Sequence, residues 1–197
     1  MRHARYVPYC LPKRKKSRYK NTDYTRSAGI SISLPWINSY SYHDYNRGIR
    51  RFRTGFVGLG LSGYNRNKAN KLAINIAWTA DLPAPVGPVD FGKTGTRSSV
   101  SAFIVEGNFH HALHKHFGFI TGVNYVTYGY HFVDYDSPIN MDRYDRTVGL
   151  TTGLEYLSAK HFLLAVFYRP AIVQFQTRQY WSVLSVDVRF DLPVWKK

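Results

Sequence analysis

The chain has 197 residues and a mass of 22.8 kDa, room for one substantial domain, and 27 Lys and Arg against 12 Asp and Glu give it a formal charge of +15. Its 16 Tyr, 12 Phe and 4 Trp exclude a disordered chain, and a single cysteine, Cys10, excludes a disulfide framework and a cysteine-based zinc site. No run of about 20 apolar residues exists, which excludes a transmembrane helix but not a transmembrane β-barrel, whose strands need only about 9–11 residues each.

Residues 1–26 hold four Lys and five Arg against the single acid Asp23. The run Lys13, Arg14, Lys15, Lys16 has neither a helical nor an alternating pattern and reads as a solvated arm that phosphates attract. Nucleic-acid-binding motifs are absent from the sequence, so no specific nucleic acid is expected as a partner. The arm also lacks the roughly 7–15-residue apolar core of a secretory leader. Arg5-Tyr6-Val7-Pro8-Tyr9 is a poor lipidation signal, so Cys10 reads as a plain thiol.

From residue 27 to 197 the chain alternates with period two, the pattern of strands. Ile30, Ile32, Leu34 and Trp36 alternate with Gly29, Ser31 and Ser33. Val57, Leu59 and Leu61 alternate with Gly58, Gly60 and Ser62, and Leu72, Ile74, Ile76 and Trp78 with Ala73, Asn75, Ala77 and Thr79. Phe103, Val105 and Phe109 face away from Ala102, Ile104, Glu106 and Asn108. A fifth segment, Phe117 to Phe132, is strand-like with an ambiguous inward face. Three more follow, over Thr147–Tyr156, Phe162–Arg169 and Val183–Leu192, which makes eight strands and no helix.

One face of these segments is large, apolar and uncharged; the other is mostly Gly, Ser, Ala, Thr and Asn, with a few ions of both signs. Small residues make a poor wet exterior but suit the crowded lumen of an eight-stranded barrel. The eleven lysines fall in the arm, in predicted links, or at chain and strand ends. Predicted links alternate between long (37–52, 81–98, 133–145) and short (63–70, 110–116, 158–161), with a moderate last one at 174–180. An even strand number places both termini on the short-turn side. Trp36, Trp78, Tyr125, Tyr156, Tyr168, Trp181 and Trp195 fall near strand ends and supply an aromatic belt.

On this pattern, residues 27–195 resemble the small eight-stranded outer-membrane barrels of the OmpA/OmpX type. The ending Val186-Asp187-Val188-Arg189-Phe190-Asp191-Leu192-Pro193-Val194-Trp195 is similar to the aromatic-terminated last strand of that class, although Pro193 interrupts it and Lys196 and Lys197 follow. The resemblance implies an all-β, eight-stranded, antiparallel up-and-down transmembrane barrel with a basic N-terminal arm. It implies outer-membrane lipid as surroundings and no cofactor.

The inward ionic set is Glu106, Glu155, Arg169, Asp187 and Arg189, with Asp191 nearer the rim. Arg169 is expected between Glu155 and the Asp187/Arg189 pair in a network that plugs the lumen. His110, His111, His114 and His116 are weak metal candidates, since they fall in a predicted tight turn without carboxylate or thiol. The proline-rich link containing Pro83, Pro85, Val86, Pro88 and Phe91 is stiff and, with the arm, is the expected contact surface for a partner, either another envelope protein or anionic lipid. Hydrolase and phosphate-loop motifs are absent from the sequence. Ser39, Ser41, His43 and Asp44 in the first long link supply the residue types of a lipid-A-modifying enzyme, the alternative reading. A soluble ligand-binding barrel is a further alternative, and requires the Leu/Ile/Val face to point inward.

Overall fold

The computed structural model describes residues 26–44, 49–67, 69–81, 96–114, 116–134, 140–158, 161–175 and 179–196. They form nine strands: β1 (Arg26–Asp44), β2 (Ile49–Gly55), β3 (Val57–Asn67), β4 (Asn70–Ala80), β5 (Thr96–Ala112), β6 (Phe117–Asp134), β7 (Asn140–Leu157), β8 (Phe162–Gln174) and β9 (Gln179–Lys196). Each pairs antiparallel with its neighbour, and β9 returns to pair with β1 from Ser27↔Lys196 to Asp44↔Gln179. β2 and β3 are two halves of one strand broken at Phe56. β3 pairs with β1 from Arg26↔Asn67 to Ser33↔Gly60, and β2 from Asn38↔Gly55 to Asp44↔Ile49. The result is a closed ring of eight strands.

Pro35 explains the break. It has no N–H to give a ladder, so pairing lapses on one flank between Ser33 and Asn38. On the other flank the register shifts between Pro35 and Ile37, which leaves Trp36 as an extra, outward residue. Asn38 Nδ2 partly compensates by donating to the Pro35 carbonyl at 3.0 Å.

The two faces separate as the alternation requires. Ile30, Leu61, Ile74, Phe103, Leu154, Val166 and Leu184 are all exposed, whereas Ser31, Ser62, Asn75, Ala102, Thr151, Ala165 and Ser185 are buried. In the fifth segment Ile120, Asn124, Val126 and Tyr128 point inward, and Phe117, Phe119, Val123 and Tyr125 outward. With its aliphatic face outside, the barrel is inverted relative to a soluble one, and the soluble-barrel alternative falls. Trp181 departs from the expected belt: it is 4% exposed and lies inside the ring.

The links also differ from expectation. β1 continues to Asp44 and β2 starts at Ile49, so 37–52 is mostly strand; β6 and β7 likewise run to Asp134 and from Asn140. Only the link after Ala80 and before Thr96 is long. β1, β5, β6, β7 and β9, at 17–19 residues, therefore rise well above the roughly 9–11 residues that a bilayer needs, whereas β4 has 11. The two ends of the ring are called here the terminal end, where β1 begins and β9 finishes, and the loop end.

Candidate functional site

The candidate site is the lumen, and its floor plan follows strand parity. Ala102, Ile104, Glu106, Asn108 and His110 all point inward from β5. Glu106 meets Arg169 from β8 in a two-point ion pair, with Nε donating to Oε2 at 2.8 Å and Nη2 to Oε1 at 3.1 Å. Asn75 Nδ2 donates to the same carboxylate at 2.8 Å, Thr151 Oγ1 at 3.0 Å, and Arg169 Nη1 donates to Ser185 Oγ at 2.6 Å. Five strands thus converge on one buried pair. Such saturation is what makes a buried ion pair tolerable in a low-dielectric interior.

The Phe167 ring lies 4.5 Å from the guanidinium carbons of both Arg169 and Arg189, and its π face accommodates both cations. Arg189 Nε stands 3.9 Å from Asp187 Oδ2, an ion pair without a hydrogen bond. Arg169 therefore takes Glu106 from across the lumen, not the expected Glu155 on the neighbouring strand. Glu155 is engaged by His110, at 2.7 Å. Sequence neighbourhood misled here because an eight-stranded lumen is narrow enough for long side chains to reach across it.

Toward the terminal end Asp191 gathers three donors. Lys71 Nζ reaches both of its oxygens at 2.8 Å, Arg66 Nη2 reaches Oδ2 at 3.1 Å, and Ser31 Oγ donates to Oδ1. Lys71 was legible only as a strand-end lysine; in fact it is buried, with its ammonium 4.5 Å over the Tyr64 ring. At the loop end the filling turns aromatic. Trp181 stacks on Tyr128 with centroids 4.6 Å apart and tilts against Tyr42 at the same distance, while its Nε1 donates to Asp145 Oδ2 at 3.0 Å. Tyr40 donates to Thr79 Oγ1 at 2.7 Å.

The histidines do not share a turn. His110 is buried in the lumen, His111 Nδ1 lies 2.7 Å from Asn70 Oδ1, and His116 Nδ1 lies 3.1 Å from the Leu157 carbonyl. Among the described residues no group of three or more His, Cys, Asp or Glu is placed to hold a metal. Ser39, Ser41 and His43 belong to β1 rather than a loop, and Ser39 Oγ is 3.0 Å from Thr54 Oγ1. The arm residues Lys13, Arg14, Lys15 and Lys16 lie outside the described residues, as do Pro83, Pro85, Val86, Pro88 and Phe91.

A closed ring of eight up-and-down strands, with an apolar outside and a polar, ion-paired inside, is the architecture of the small outer-membrane β-barrels of the OmpA/OmpX type. Solved structures of that class are similar to this chain. Ail, the attachment invasion locus protein of Yersinia pestis, aligns with a TM-score of 0.54 at 8% identity, covering 86% of this chain and 100% of Ail. Ail in complex with the heparin analogue sucrose octasulfate aligns at 0.56 and 9%, over 85% of this chain and 99% of the other. Neisserial surface protein A aligns at 0.54 and 13%, again over 85% and 99%. At these identities the likeness establishes the fold. No protein-family model matches the sequence, and no curated protein does.

Proposed function

We propose that this chain is a non-enzymatic barrel of the bacterial outer membrane, a structural or accessory subunit that presents loops outside and a basic arm in the periplasm. The carrying observation is the buried Glu106–Arg169 pair with its saturated shell, beneath the aromatic stack of Tyr128 and Trp181. Side chains so engaged serve closure of the lumen rather than conduction or turnover. The contact surfaces are then the arm, through Lys13, Arg14, Lys15 and Lys16, and the stiff link with Pro83, Pro85, Val86, Pro88 and Phe91, toward an envelope protein. The alternative of lipid-A modification has the weaker support, because Ser39 is held by Thr54 on the wall of β1.

Gel migration of the detergent-extracted protein, cold and boiled, tests the reading together with photo-crosslinking from Lys15 and Phe91. Expected are faster migration without boiling, recovery in the outer-membrane fraction, and one discrete crosslinked protein band. A freely soluble protein with no heat shift overturns the membrane reading. A heat-shifting barrel that crosslinks nothing overturns the accessory role.

A further inference from the structure

Most arginines of the barrel are spoken for. Arg53, Arg66, Arg143, Arg169 and Arg189 each have a carboxylate oxygen at 2.8–3.9 Å. By strand parity two arginines point outward, Arg26 at the start of β1 and Arg146 on β7, and neither has a carboxylate partner among the described residues. Toward the loop end the outward positions of β7 run Tyr156, Leu154, Leu150 and Val148, then change to Arg146 and Tyr144. Arg146 thus stands where the aliphatic face stops.

Its neighbours single it out. Thr127 is directly across the β6–β7 ladder from Arg146, which puts their Cβ atoms about 5 Å apart. Tyr144, two residues along on the same face and 62% exposed, pairs with Gly129. Without a side chain at Gly129 the tyrosine ring leans over β6: a Cβ there would lie 3.4 Å from Tyr144 Cε1 and 2.9 Å from Ser101 Oγ on β5. One guanidinium and three hydroxyls therefore share a patch across three strands. Next to it, toward the terminal end, the outward pairs Tyr125↔Val148 and Val123↔Leu150 form an exposed apolar slope.

We propose that this patch binds the head group of a membrane lipid that ends in a phosphate monoester, with the acyl chains on the slope beside it. The planar guanidinium fork matches two phosphate oxygens at once. A monoester has three terminal oxygens, enough to take the hydroxyls as well, whereas a diester has two. The stem of Arg146 stays against the apolar layer while its head reaches the phosphate level. The inference rests on the membrane reading above and adds to it a ligand chemistry and a place on the wall.

Lipid retention tests it. The full chain is folded into phosphatidylcholine vesicles containing phosphatidic acid, a monoester, or phosphatidylglycerol, a diester. It is then released in mild detergent for native mass spectrometry. Phosphatidic acid is expected to stay bound at least about threefold more than phosphatidylglycerol. Arg146→Gln should cut its retention about tenfold, the loss expected for a hydrogen-bonded charge. A T127V/Y144F variant keeps the charge and should lose the preference for the monoester. The heat-shifted gel band checks that each variant has formed its barrel. With that band present, four results overturn the inference: neither lipid retained by the native chain, equal retention of the two, undiminished phosphatidic acid on Arg146→Gln, or a preference that survives in T127V/Y144F. A native chain that never gives the band overturns the membrane reading instead.

Discussion

Replacing Glu106 by Leu while Arg169 stays in place is expected to lower the unfolding free energy of the barrel by about 3–5 kcal/mol. The cost comes from the partner left behind. Arg169 is 1% exposed, and without Glu106 only Ser185 accepts from it among the hydrogen bonds described above. Asn75 and Thr151 lose their acceptor as well. Replacing Arg169 by Met alone should cost a similar amount, because a carboxylate then stays buried with two neutral donors. The double variant, Glu106→Leu with Arg169→Met, should recover at least half of either loss, because no ion is stranded. Urea unfolding in lipid vesicles, followed by the cold-migrating gel band, measures all three. Additive losses in the double variant would show that the pair does not act as a unit.

Gly149→Ala is expected to cost about 3 kcal/mol, the upper range for overpacking. A Cβ on Gly149 overlaps the carbonyl oxygen of Pro170, which is backbone and cannot rotate away, and comes within 2.9 Å of Asn124 Oδ1. The β7–β8 register shifts between Val148 and Gly149 at this level. Gly107→Ala is the control, since a Cβ there meets nothing within 4 Å, and a change within about 0.5 kcal/mol is expected. The same urea series compares them, and equal effects at both sites would refute the steric account.

Much of the wall was legible because lipid and lumen impose opposite demands on successive residues. Along Leu72 to Trp78 each outward position is large and each inward one small or polar, so the strand and its faces follow together. Legibility faded where the strands leave the apolar layer. Around Ser39, Ser41, Phe52 and Thr54 the outer side is no longer uniformly aliphatic, and β1 and β2 read as one long link. His110 had a usable signal, since its parity matches Glu106 and Asn108; proximity to three other histidines drew attention elsewhere. Trp181 and Lys71 had none. A tryptophan near a strand end usually marks a boundary, and a lysine beside a turn is usually solvated. Pairing across the lumen is a property of ring closure, and nothing local in Glu106 or Arg169 announces which partner each will take.

The break at Phe56 gives the wall two mechanical grades. In its terminal half every strand is laddered on both sides. Above the break β2 has a ladder with β1 alone among the described residues, while β4 stops at Ala80 and β5 runs on from Thr96. Across that notch Asp81 acts as a clasp: Arg53 Nη1 donates to Oδ2 at 3.1 Å, the Val100 N–H to Oδ1 at 2.7 Å, and the Asp81 N–H to the Val100 carbonyl at 2.8 Å. The upper β2 is thus held on one side by its ladder to β1, which is itself laddered to β9 as far as Asp44↔Gln179, and on the other by Asp81, with the Arg53 guanidinium also 6.0 Å over the Tyr130 ring. At this notch of the rim the wall is closed by side chains around Asp81, where the terminal half is closed by strand ladders.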